Sequence, residues 1–321
     1  MRIEIDRAVA NDPEAHNWLD RILAKIDDGW HIWDTTSHSD PRAFEYTAWV
    51  EGTGRAEIRV RELHIASVQR NAWQDFELHN RYVRVTANPA EPNELTPENA
   101  VRLAEKPLCI LVENRESDGG FVKRIIKELN KALWAYIEQP GQPVDFDSLG
   151  GIGQMPGAVQ DRCEEIPFRP RLVVIADSDR QKPGGDESKA AQILRASCEH
   201  FGVPCWILAK RASENYLPRS LLSAWNRTNY RHSKPVDAWD QLTDDQKDYY
   251  NMKSGWPEKQ CEPSDDLFAN LLPADYQKLF NGFGKKVHQC WQQTADDVFR
   301  QLQERSRGDL EHGICLILKE V

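Results

Sequence analysis

Apolar positions follow one rhythm at the start of the chain, a second from about residue 42, and a third from about residue 105. Residues 12 to 35 space Trp18, Leu19, Ile22, Leu23 and Ile26 along one helical face, with Asn11 or Asp12 as cap and Pro13 in the first turn, which predicts one amphipathic helix. From Arg42 to Thr86 apolar and polar residues alternate on both sides of Gly52-Thr53-Gly54, the pattern of a β-hairpin or meander. The proline-rich stretch over residues 87 to 100 predicts a linker or domain boundary.

Beyond it, "PLCILVEN", "PVDFDSLGG", "RLVVIADSD" and "PCWILAK" are short apolar runs separated by segments of helical spacing, among them "SDGGFVKRIIKELNKALWAYI" and "SKAAQILRASCEHFG". Strands alternating with helices predict an α/β fold, a parallel sheet flanked by helices. From residue 219 the rhythm is helical and polar, with Trp225, Trp239, Tyr249, Tyr250, Phe280 and Trp291 as expected packing anchors. The expected organisation is an N-terminal α+β domain over 1–95, an α/β domain over 105–218 and a helical region over 219–321.

Composition narrows this picture. A chain of 321 residues, 40% hydrophobic and 29% charged, can bury a substantial core, and it contains no apolar run of the roughly 20 residues that a membrane span needs. The polar N-terminus does not read as a secretory signal, so a cytoplasmic location without membrane attachment is expected. The seven cysteines form no Cys-x-x-Cys pair, which disfavours structural zinc. A net charge of −10 argues against indiscriminate nucleic-acid binding by the whole surface while leaving room for a local basic groove.

The chemistry concentrates at strand ends. Asp177 and Asp179 follow an apolar strand at its carboxyl end, where open α/β sheets place ligands, and positions i and i+2 of an extended chain face the same side. Two such carboxylates repel unless one is protonated or a cation joins them. Glu113 ends the preceding run in the same topological position, and oxygen-only ligands of this kind suit Mg²⁺ or Mn²⁺. The plainer reading stays open: an aspartate after a strand is often only a turn former or helix cap, and a glutamate there often sits in solvent.

The segments "LVENRESDGGFVKRI", "DSLGGIG" and "VVIADSDR", in this order, resemble the Toprim domain of topoisomerases, bacterial primases and a set of nucleases. "ADSDRQKPGGDESKAAQIL" followed by "ILAKRASENYLP" is similar to the nuclease branch that includes the overcoming-lysogenization-defect nucleases and related phage-defence effectors. The resemblance covers residues 105 to about 218 and implies a Toprim, Rossmann-like sheet. It implies Glu113 as first acidic ligand and general acid or base, Asp177 and Asp179 as Mg²⁺ ligands, and Glu214 near a second ion. Asp118 answers to the second acid of the first motif, although one extra residue separates it from Glu113. Gly150 and Gly151 match a glycine turn that passes close to phosphate, and Lys253 matches a lysine able to stabilise transition-state charge. Each also has an ordinary reading, as a helix-entry acid, a turn and a surface lysine respectively.

The stretch "KRASENYLPRSLLSAWNRTNYRHSK" carries Lys210, Arg211, Arg219, Arg227, Arg231 and Lys234 between Tyr216, Trp225 and Tyr230, a candidate nucleic-acid surface, or else a solvated helix whose aromatics face the core. Lys123, Arg124 and Lys127 form a second basic cluster. The expected activity is phosphodiester hydrolysis in DNA or RNA with two Mg²⁺ or Mn²⁺ ions. Because the chain lacks a Gly-x-x-x-x-Gly-Lys-Ser/Thr phosphate loop, the resemblance further implies a separate ATPase or sensor partner in anti-phage defence, with the N-terminal residues as docking module; homo-oligomerisation stays open. The alternatives are a non-catalytic nucleic-acid-binding or regulatory Toprim subunit, and a primase-like or topoisomerase-like transferase.

Overall fold

The computed structural model describes residues 1–36, 44, 46–52, 55–72, 78–229, 234–256, 266–306 and 308–321. Two four-stranded sheets, each entirely parallel and flanked by helices, organise the chain. The first contains β1 (Arg2–Ile5), β2 (Ile32–Trp33), β3 (Tyr82–Val85) and β4 (Glu94–Leu95) in the order β2-β1-β3-β4. The second contains β5 (Leu108–Val112), β6 (Val144–Ser148), β7 (Leu172–Ala176) and β8 (Cys205–Ile207) in the order β6-β5-β7-β8. Relative to its own first strand, each sheet has the same order, reversing direction of growth beside that strand.

The N-terminal unit departs from the sequence expectation. Where a hairpin or meander is expected, the chain forms the helices Ala48–Gly52 and Arg55–Ala72, and Thr53 and Gly54 lie outside the described residues. Val60, His64 and Ser67 are buried at helical spacing, whereas Ile58 and Ile65 of the alternating pattern stay 67% and 50% exposed. Alternation alone did not distinguish the two, because Val60 and His64 satisfy both periods and only the buried Ser67 at i+7 is specific to a helix. The first helix is also shorter than expected: it spans His16–Asp27 with Ala15 as cap, and Gly29 at φ +80° turns the chain into β2. Its apolar face is as expected, with Leu19, Ile22, Leu23 and Ile26 buried. The expected linker holds β4 and the helix Pro97–Ala104, capped by the Thr96 side chain, and this helix buries Ala100, Val101, Leu103 and Ala104 in the N-terminal core.

In the second sheet, alternate side chains of the central strands serve two different cores. Ile110, Val112, Val173 and Ile175 face the helix Asp118–Leu129 and much of the C-terminal region, including Trp225, Trp239, Tyr250 and Trp291. Leu111, Leu172, Val174 and Ala176 face the helices Met155–Glu164 and Lys189–Phe201. The C-terminal region therefore covers one face of the sheet, as the buried aromatics expected of it require. Among the described residues no helix is long and apolar enough to cross a membrane.

Candidate functional site

Adjacency of β5 and β7, with Val112 opposite Ile175, brings Glu113 and Asp177 side by side just past the strand ends. The Asp177 backbone N–H donates to Glu113 Oε1 at 3.2 Å. Asp118 opens the helix that follows β5, and its Oδ2 accepts the Asn114 N–H at 3.0 Å while its Oδ1 accepts the Ser213 hydroxyl at 3.1 Å. The Ser213 N–H donates to Asp177 Oδ1 at 2.9 Å, so the 3-10 turn Ser213–Tyr216 ties two of the acidic elements together and carries the neighbouring Glu214. Glu214 is fully buried, with Oε1 3.1 Å from Lys253 Nζ and Oε2 without a hydrogen-bond partner among the described residues.

Glu113, Asp118, Asp177 and Lys253 border a cavity of about 360 Å³, lined also by Gly150, Gly151, Ser254, Lys285 and His288, and Glu214 lies behind Lys253 outside its lining. Gly150 at φ +77° and Gly151 at φ +154° adopt backbone conformations that side chains resist, and a Cβ at either would meet nothing within 4 Å, so this turn leaves open space beside the carboxylates. The sequence alone singled out Glu113, Asp118, Asp177, Glu214, Gly150, Gly151 and Lys253, and all of them gather here.

Asp179 does not converge as an extended chain requires. The strand ends at Ala176, Ser178 is buried with its hydroxyl donating to Lys210 O at 2.6 Å, and Asp179 is exposed with φ +54°. A left-handed residue turns the chain, so the i, i+2 argument fails for this pair. Its charge still reaches Glu113 from the rim.

Electrostatics follow from packing acids together away from water. Burial, then the Asp118 charge, push the Glu113 carboxyl up to about 7, against the Asp177 N–H bond and Lys253, which favour the ionised form. Burial raises Asp177 well above the usual carboxylate range, with Asp118 and Glu214 adding to it, and burial likewise raises Glu214. Burial opposes the charge on Lys253, yet Glu214, Asp177 and Asp118 outweigh it and hold its ammonium protonated above the ordinary lysine range. Lys253 is thus the counter-ion of the acidic group.

The donor set is oxygen-only, electrostatically unbalanced and includes an unpaired buried carboxylate oxygen, which fits a hard divalent cation. Glu113, Asp118, Asp177 and Glu214 are the residues that could hold one. Their side-chain positions are those set by Ser213 and Lys253, and among the described residues no group of three or more His, Cys, Asp or Glu is close enough together to hold a metal ion.

Within the expected nucleic-acid surface over residues 210 to 234, Lys210 and two of the aromatics are structural, while Arg219 and Arg227 are exposed. Lys210 is 4% exposed and its Nζ lies 2.6 Å from Asp248 Oδ1. Tyr216 and Trp225 belong to the core and present no ring for base stacking. Arg211 is half-buried and bonds Tyr249 O, and Arg219 is paired with Asp240 at 2.6 Å. Arg227 is exposed, and Tyr230 and Arg231 lie outside the described residues. Lys123 sits over the Phe146 ring at 4.6 Å, and Arg124 donates to Gln293 O at 2.8 Å, which fastens the C-terminal region to the helix Asp118–Leu129.

Ser213, Ser254, Lys285 and His288 escaped the sequence reading. For Lys285 and His288 the available signal was "GFGKKVHQ", a glycine turn followed by clustered basic residues in an otherwise acidic chain. Compared with known proteins, the chain matches no family model, no curated protein and no solved structure.

Proposed function

We propose that this protein is a Mg²⁺- or Mn²⁺-dependent nuclease of Toprim type that hydrolyses phosphodiester bonds in nucleic acid. The observation that carries the reading is the gathering of Glu113, Asp118, Asp177 and Lys253 around a glycine-lined cavity at the carboxyl edge of a parallel sheet, with buried Glu214 paired to Lys253. Bound there, a divalent ion would supply Lewis-acid polarisation of the phosphate and lower the pKa of attacking water. Glu113, lifted towards neutrality by burial and Asp118, is suited to take the proton of that water. Asp177 and Asp118 orient the acidic group through Ser213, and the Lys253 ammonium lies where it can stabilise charge developing on phosphate oxygens. The Gly150-Gly151 turn lets the substrate backbone approach without meeting a side chain.

A role in anti-phage defence beside a separate ATPase extends the same reading and rests on the sequence resemblance alone. The test is metal-dependent cleavage of plasmid, single-stranded DNA and tRNA by the wild type, with Glu113→Ala and Asp177→Ala alongside. The reading requires cleavage that needs Mg²⁺ or Mn²⁺ and is lost in both variants. Cleavage surviving both substitutions refutes it.

A second reading, a non-catalytic nucleic-acid-binding or regulatory subunit, is favoured by one observation. Lys253 already neutralises part of the acidic group, and the carboxylates are joined by hydrogen bonds rather than arranged around a point. Nucleic-acid binding with no cleavage under any divalent ion would select it.

A further inference from the structure

The cavity has two walls of opposite character. One is acidic and comes from the sheet edge, while the other carries Lys253, Ser254, Lys285 and His288 and comes entirely from the C-terminal region. Lys253 is committed to Glu214, but Lys285 makes no ion pair among the described residues. The His288 Nδ1 lies 2.9 Å from Lys285 O, and because a carbonyl only accepts, that nitrogen carries a proton, so in the doubly protonated ring Nε2–H is left to donate to an anion.

This basic wall is fixed rather than draped. The segment carrying Lys253 crosses the one leading to Lys285 backbone against backbone: Phe283 N–H donates to Met252 O at 2.8 Å and Trp256 N–H to Phe280 O at 3.0 Å. His288 lies on the 3-10 turn Val287–Gln292, whose Val287, Cys290 and Trp291 are buried. Trp291 packs on Phe121 at 5.1 Å between ring centroids, and Phe121 belongs to the same helix that Asp118 opens. Acidic and basic walls are therefore held by one helix, which fixes their spacing.

We propose that Lys285 and His288 bind the phosphate backbone of a nucleic-acid strand and lead it across the acidic edge, so that these two residues of the basic wall carry substrate recognition at the cavity. The proposal rests on the nuclease reading for the direction in which the strand runs, but the binding itself does not require cleavage. In a chain of net charge −10, an anionic strand is repelled except where cations are concentrated, and this wall is such a place beside the carboxylates. Each phosphate contact on a single strand steepens the salt dependence of affinity by about 0.7 in logarithmic slope.

The experiment is fluorescence anisotropy of a labelled single-stranded oligonucleotide in Ca²⁺ over a series of salt concentrations, on the full chain. Measured where imidazole is protonated, the double variant Lys285→Ala/His288→Gln is expected to raise Kd at least about tenfold and to flatten the salt slope by about 1.4, of which about 0.7 belongs to Lys285. Lys285→Met and His288→Asn singly should each give part of both effects, which keeps the result interpretable if the double variant misfolds. An unchanged Kd and slope overturns the proposal, as does failure of the wild type to bind. Hydrolysis of bis(p-nitrophenyl) phosphate with Mn²⁺ tests the nuclease reading apart from it: weakened binding without hydrolysis leaves this inference standing while that reading falls.

Discussion

Glu214 has no exposed surface, and the Lys253 ammonium lies 3.1 Å from its Oε1. An ion pair placed this way is a constraint on the fold as well as a feature of the site. Removing one partner leaves the other charge buried without compensation, which costs more than the intact pair contributes. Lys253→Met is expected to lower stability by about 2 to 4 kcal/mol, at the modest end for a buried pair because the lysine side chain keeps 38% of its surface. Glu214→Gln combined with Lys253→Met should recover most of that loss. Urea denaturation of the two single variants and the double variant measures the coupling, and additive losses would show that the pair does not act as a unit.

The raised carboxyls make the metal-free protein acid-favouring at this site. Glu113 titrates near 4.5 when unfolded and at about 7 when folded, so between those values the folded state holds a proton that the unfolded state has released. Stability then falls as pH rises through that window, by on the order of 3 kcal/mol for this group, and Asp177 acts in the same direction. Thermal melts in chelator from pH 5 to pH 8 should show the decline. Glu113→Gln should flatten it and melt above the wild type at pH 8. Identical pH profiles for the two proteins would mean that Glu113 is not desolvated as described.

How far the sequence disclosed this site depends on the range of the interaction involved. β5 and β7 are unbroken apolar runs, so their parallel pairing and the meeting of Glu113 with Asp177 followed from local pattern and a general rule for open sheets. Asp179 was misplaced because a single left-handed residue reverses direction, and Asp has enough freedom there to hide it in the sequence. The helix Arg55–Ala72 was hidden for another reason: "IRVRELHI" fits both periods, and exposure of Ile58 with burial of Ser67 decides between them. Lys210 reads as a phosphate contact in local sequence, but Asp248, distant in the chain, pairs with it in the fold. His288 and Lys285 reach the cavity only through tertiary packing of Trp291 on Phe121, which no local pattern encodes.

The crossing that delivers Lys253 has no room for a side chain. A Cβ on Gly255, which sits at φ +66°, would stand 2.2 Å from Phe280 O and 2.4 Å from Gly282 N, both backbone atoms that cannot rotate away. Gly255→Ala is therefore expected to cost at least about 2 to 3 kcal/mol and to displace Lys253 from Glu214. Gly150→Ala meets no atom within 4 Å and carries only the strain of its positive φ, so its stability loss should be smaller, on the order of 1 kcal/mol. Chemical denaturation of the two variants compares them directly, and equal losses would contradict the tight crossing.

Divalent ions should stabilise the protein if the acidic group takes them up. A ligand that binds only the folded state adds RT ln(1 + [L]/Kd), about 2.7 kcal/mol at a concentration one hundred times Kd. Mn²⁺ or Mg²⁺ is thus expected to raise the melting temperature, most strongly above pH 7, where Glu113 has lost its proton and metal no longer competes with it. Asp177→Asn should remove most of the shift, because it takes away a charge at the centre of the group, in contact with both Ser213 and Glu113. Lys253→Met, although destabilised without metal, should show a larger metal-induced shift than the wild type, since it deletes the cation with which the metal competes for Glu214. A metal response that is the same in all three proteins would place the binding site elsewhere and leave the carboxylate group to Lys253.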